Sequence, residues 1–131
     1  MPAILLNENP HNPPPEEVNH VFNVMETLLI EINHAIDLQR VTELTYFEYI
    51  HELKQSAQAL FFLTMFKNYA SKELLAIYQG LFIETHTLAE VLNMSSDPHG
   101  LLTEVVSQIN QIQKILLILI VNQQRQLGIN D

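Results

Sequence analysis

Apolar residues recur at alternating spacings of three and four in four separate blocks, and that period fits an α-helix with one buried face. The first block is Val18, Phe22, Met25, Leu29, Ile32 and Ile36, flanked by Val21, Leu28 and Ala35. The second is Tyr46, Ile50, Leu53, Ala57, Leu60, Phe61 and Thr64. The third is Leu74, Ile77, Tyr78, Leu81, Phe82, Leu88 and Leu92, and the fourth is Leu102, Val105, Ile109, Ile112, Leu116 and Leu119. No stretch alternates residue by residue as a half-buried strand would. A chain of 131 residues is long enough for one domain with a real core.

Turn and cap chemistry separates the blocks. Pro10, Pro13, Pro14 and Pro15 oppose both helix and sheet, so residues 1–14 read as an irregular leader and 15–131 as the folded unit. Pro15, Glu16 and Glu17 suit a first helical turn, with acids facing the positive end of the helix dipole. Thr45 and Glu48 have the spacing of a capping box, with Leu44 and Tyr49 as its hydrophobic staple. Ser71 is a candidate N-cap for the third helix, Asp97-Pro98 the N-cap and first position of the fourth, and Gly128 its C-terminal stop. Breaks are expected near 40–44, 69–71 and 93–98. The expected fold is all-α, an antiparallel up-down-up-down four-helix bundle.

Charge narrows the partners. Fifteen acids oppose six bases, for a net charge of −9, and residues 1–52 hold nine of those acids with Arg40 as the one base. Such a chain repels nucleic acid. It has no cysteine, hence no disulfide, thiolate metal site or thiol nucleophile, and its three glycines form no phosphate-cradling loop. The longest unbroken apolar run, Ile115–Val121, is seven residues, against roughly 20 for a membrane span, so no membrane embedding is expected. The residues ask for no cofactor. The expected location is the cytoplasm or, after secretion, a reducing host cytosol.

Two Glu-x-x-His pairs, Glu31/His34 and Glu48/His51, have the spacing that supplies ligands in di-iron bundles. At ~100° per residue, however, His34 and His51 turn away from the apolar stripes, so no metal site is expected. Glu84 and His86 fall on opposite borders of the third helix. No serine lies in a glycine-flanked elbow, which leaves a hydrolase triad without support.

The outward His51 opens the run His51-Glu-Leu53-Lys54-Gln-Ser56-Ala57-Gln-Ala-Leu60. This resembles the phosphorylatable segment of histidine-containing phosphotransfer (HPt) domains, in which H-x-L-K-G-[SA]-[SA]-x-x-[LI]-G lies on the second helix of a four-helix bundle. His51, Leu53, Lys54, Ser56, Ala57 and Leu60 fit the pattern, and Ala35-Ile36-Asp37 upstream is similar to the family's arrangement. The resemblance implies that His51 accepts and passes on a phosphoryl group from a receiver domain while Lys54 balances its charge. Two positions depart from the pattern: Gln55 stands where the family has its first glycine and Phe61 where it has the second.

A second feature is surplus apolar surface. Phe62, Phe66 and Tyr69 follow i, i+4, i+7 spacing opposite the second helix's core stripe, and Ile115–Val121, including Ile118 and Val121, is apolar all round. In an up-down-up-down bundle both would gather at one pole, as a homodimer contact or partner groove, unless Ala3-Ile4-Leu5-Leu6 of the leader covers it. The sequence therefore predicts function by protein–protein contact. One form is an HPt-like phosphorelay module. The other is a non-enzymatic inhibitor, adaptor or chaperone, for example a regulator of a bacterial effector enzyme. An autonomous enzyme is not expected.

Overall fold

A computed structural model describes residues 15–126. The leader, the proposed stop at Gly128 and the Ala3–Leu6 cover all lie outside these residues. The described chain is all-helical, without strands: α1 spans Glu16–Asp37, α2 Leu44–Lys67, α3 Lys72–Met94 and α4 Leu102–Gln126, with a single 3₁₀ turn at His99–Leu101. Each helix packs against the next, and α4 also touches α1, so the four surround one core. The apolar stripes supply that core, including Val18, Met25, Ile32, Leu53, Ala57, Leu60, Leu81, Ile109 and Ile112. Burial of the larger aliphatic side chains contributes about 1.5–3 kcal/mol each.

The helix ends show how the turns are made. After α1, the Gln39 amide donates to the Ile36 carbonyl and the Arg40 amide to the Ala35 carbonyl, a Schellman closure. Gln39 adopts the left-handed conformation (φ 59°) that glycine usually fills. Val41 then inserts fully into the core. This draws the linker inward and leaves Glu43, in extended conformation, as the N-cap of α2, without a side-chain capping bond. The expected Thr45/Glu48 capping box is therefore not formed, because the helix starts two residues early and Thr45 lies inside its first turn. The staple fails too, since Leu44 is 71% exposed.

Asn68 ends α2 in a left-handed conformation (φ 48°). The Ser71 hydroxyl accepts from the Leu74 amide at 3.2 Å and caps α3 as expected. Asp97 accepts the Gly100 amide at 3.1 Å, which gives the capping role expected of it, although the first turn beyond Pro98 is 3₁₀ rather than α.

Candidate functional site

His51 sits on the outer side of α2 and is exposed, as its phase requires. The side-chain amide of Gln55, one turn on, lies 3.2 Å from the His51 Nε2. Where the amide nitrogen donates, Nε2 is the acceptor of this contact. Lys54 is half-buried and displaced toward α3 by its position three residues on. On its α3 side, His51 borders a crevice lined by Phe47, Ile50, Ala89, Leu92 and Asn93, of only about 10 Å³. Gln55 also reaches a shallow hollow of about 310 Å³ between α1 and α2, lined with His20, Val21, Val24, Glu52, Ser56 and Ala59. The ground around His51 is thus open and shallow.

Three residues that carry the phosphotransfer resemblance, Leu53, Ala57 and Leu60, are fully buried core positions. They are there for packing, so the chemistry of the pattern rests on His51, Lys54 and Ser56. Phe61 is half-buried, with its ring stacked 6.0 Å from that of Phe82 on α3. α2 stays helical past this position, where the pattern has glycine, and continues to Lys67.

The predicted apolar pole is divided. Tyr69 is not on the surface of α2; it follows the helix break at Asn68, is 1% exposed and belongs to the core. The i+7 extrapolation failed because left-handed Asn68 redirects the chain just before it. Phe62 (42% exposed) and Phe66 (85%) do face outward, joined by Met65. On α4, Leu116 and Leu119 are core residues, Val121 is half-buried, and Leu117 and Ile118 are exposed. α2 and α4 occupy opposite corners, each flanked by α1 and α3. Their outward residues therefore form two surfaces rather than one.

The remaining titratable candidates fall elsewhere. His34 is exposed beside half-buried Glu31. Glu84 accepts from the Gln108 side-chain amide and so links α3 to α4, while His86 lies 4.0 Å from Glu90 on the same helix. Among the described residues no three of His, Asp or Glu converge in a way that could hold a metal ion.

Sequence reasoning missed a buried hydroxyl cluster. The Tyr69 hydroxyl donates to the Tyr78 hydroxyl at 2.7 Å, and Thr64, which donates to the Leu60 carbonyl, lies beside them. Burial pushes the Tyr69 and Tyr78 phenols above their ordinary value, and the neighbouring Tyr69 adds to the rise at Tyr78. Burial alone pushes Tyr46 up to about 12, and its hydroxyl has no partner.

One stretch of the described residues, His99–Arg125, is long and apolar enough by composition to cross a membrane. In the bundle it places Val105, Ile109, Ile112, Leu116 and Leu119 in the shared core. No protein-family model matches the chain, and neither a curated protein nor a solved structure does.

Proposed function

We propose that the protein works by contact with another protein, and that the outward face of α2 is its docking surface. The observation that carries this reading is the cluster of exposed apolar side chains Phe62, Met65 and Phe66 near the end of α2, on the same outward face that carries Leu44 and His51 nearer its start. Large apolar groups gathered on an outer helix face are what a partner covers. The more specific form is an HPt-like phosphorelay module. An imidazole nitrogen of His51 attacks the phosphorus of a receiver's phosphoaspartate, the aspartate carboxylate leaves, the proton on the other ring nitrogen passes to solvent, and Lys54 balances the negative charge of the phosphoryl oxygens. The scaffold for this is an antiparallel up-down-up-down bundle. Short linkers support that topology, as do the cross-helix contacts Phe61–Phe82 and Glu84–Gln108, each of which joins residues at comparable distances on either side of the intervening turn. The protein is read as a non-embedded one of the cytoplasm or a reducing host cytosol.

The second reading is a non-enzymatic regulator that binds a partner enzyme or a second copy through the same face. The Gln55–His51 contact favours it, because a side chain already sits against the ring nitrogen that a phosphoryl group would need. Incubation with phosphorylated receiver domains or acetyl phosphate, followed by mass spectrometry, separates the two. An acid-labile gain of one phosphoryl group, lost in His51→Gln and enhanced in Gln55→Gly, supports the relay. No gain in either the natural chain or Gln55→Gly leaves the regulator, and loss of partner binding in Phe66→Glu then supports the docking face.

A further inference from the structure

The seam between α1 and α4 is the least tightly packed of the four helix–helix seams. It opens into a groove of about 270 Å³ with Leu29 and Leu116 at its floor, Ile30, Leu117 and Ile120 on its walls, and Glu26 and Gln113 at its rim. The floor leucines are buried, whereas Ile30 is 66% and Leu117 61% exposed. Two bulky aliphatic side chains thus face a shared hollow from neighbouring helices. The volume suits one or two inserted side chains and is small for an enclosed organic ligand.

The two rims differ in charge. Along α1, the spacing that carries Glu26 and Ile30 continues to Asn33 and Asp37, so the edge has an acid at each end, about 16 Å apart. Along α4, the same spacing runs Val106, Asn110, Gln113 and Leu117, without any charge. Lys114 falls between these positions, on the outer side of α4. Among the described residues no basic side chain forms an ion pair with Glu26 or Asp37.

From this we infer that the α1–α4 groove receives an amphipathic helix of a basic partner. Apolar side chains at i, i+3 or i+4, and i+7 would enter between Ile30 and Leu117, and Lys or Arg residues about eleven positions apart would meet Glu26 and Asp37. Such helix-in-groove docking buries apolar anchors for affinity and uses the flanking charges to fix direction. The groove lies across the bundle from the outward face of α2, so it stands or falls independently of the function proposed above.

The test uses the full chain and an 18-residue labelled peptide with leucines at helical spacing and lysines eleven positions apart, read by fluorescence anisotropy. A second peptide replaces each lysine with glutamate. The lysine peptide binds and the glutamate peptide binds at least 10-fold more weakly. Leu117→Asp weakens the lysine peptide at least 10-fold, whereas Phe66→Asp leaves it unchanged. The direction for Leu117→Asp is diagnostic, since an added negative charge would strengthen indiscriminate attraction of a cation. Glu26→Lys shifts preference toward the glutamate peptide. Circular dichroism of each variant checks that the bundle is intact, and Ile30→Ser replaces Leu117→Asp if the latter unfolds. Equal binding by Leu117→Asp and the natural chain overturns the proposal. So does a dimer in light scattering that Leu117→Asp dissociates, which makes a second copy the occupant. Lysine-peptide binding that is absent in the full chain and appears only on deletion of residues 2–6 also overturns it, in favour of the chain's own leader as the occupant.

Discussion

The Tyr69 hydroxyl donates to the Tyr78 hydroxyl across 2.7 Å of buried interior, and this bond ties the turn between α2 and α3 to the core. Tyr78 in turn stacks on Phe22 of α1, with ring centroids 6.4 Å apart and planes 8° from parallel. The turn is thereby fixed to a third helix that it does not adjoin in sequence. Tyr69→Phe should cost about 1–2 kcal/mol, because it leaves the Tyr78 hydroxyl buried without that partner. Tyr46→Phe should be neutral or stabilise by up to about 1 kcal/mol, since it removes a buried hydroxyl that is already unpartnered. Thermal and urea denaturation of the two variants should move in opposite directions or leave Tyr46→Phe unmoved.

Stability should fall in strong alkali. The Tyr46, Tyr69 and Tyr78 phenols are raised in the folded chain, so above an unfolded tyrosine value near 10 the unfolded state binds fewer protons than the folded one. The stabilisation these residues give to the protonated fold is complete below about pH 10 and drains away as pH rises through the folded value, about 12 for Tyr46. Absorbance at the tyrosinate band, followed together with circular dichroism, should show these phenols ionising as helix is lost. Ionisation of all three near pH 10 with helix intact would contradict their burial.

Phe66 and Tyr69 should separate surface from core. Phe66 is 85% exposed and Tyr69 1%. Phe66→Glu should change stability by no more than about 0.5 kcal/mol while abolishing whatever contact the α2 face makes. Tyr69→Glu places a charge in the core and should unfold the bundle or cost several kcal/mol.

Two backbone positions carry the less favourable residue. Gly80 lies within α3, and a methyl group added there would meet nothing within 4 Å. Gly80→Ala should stabilise by about 0.5–1 kcal/mol through helix propensity. Gln39 holds a left-handed conformation at the end of α1, and Gln39→Gly should stabilise by about 1 kcal/mol by removing the strain of a β-carbon there. The sites are distant, so the combined variant should raise the melting temperature additively.

The apolar period determined the four helices and nearly all of the core, because a stripe at 3-4 spacing is stable only when another stripe covers it. It also placed His51 outward, since phase within a helix follows from counting. Caps were legible where one side chain reaches a nearby amide, as at Ser71 and Asp97. They failed at Thr45, where the position of the helix start depends on Val41 being drawn into the core by its neighbours. The surface assignments divided in the same way. Phe62 and Phe66 stayed on the outer face that counting gave them, but Tyr69 lay beyond a left-handed Asn68 that ended the count. Whether distant apolar surplus on α2 and α4 forms one patch or two is a matter of which corners those helices occupy, and only packing decides it. Packing likewise decided that α1 and α4 meet loosely, leaving Ile30 and Leu117 facing one groove. Counting leaves both outside the core stripes, but that they face one another across a hollow follows only from how the two helices pair.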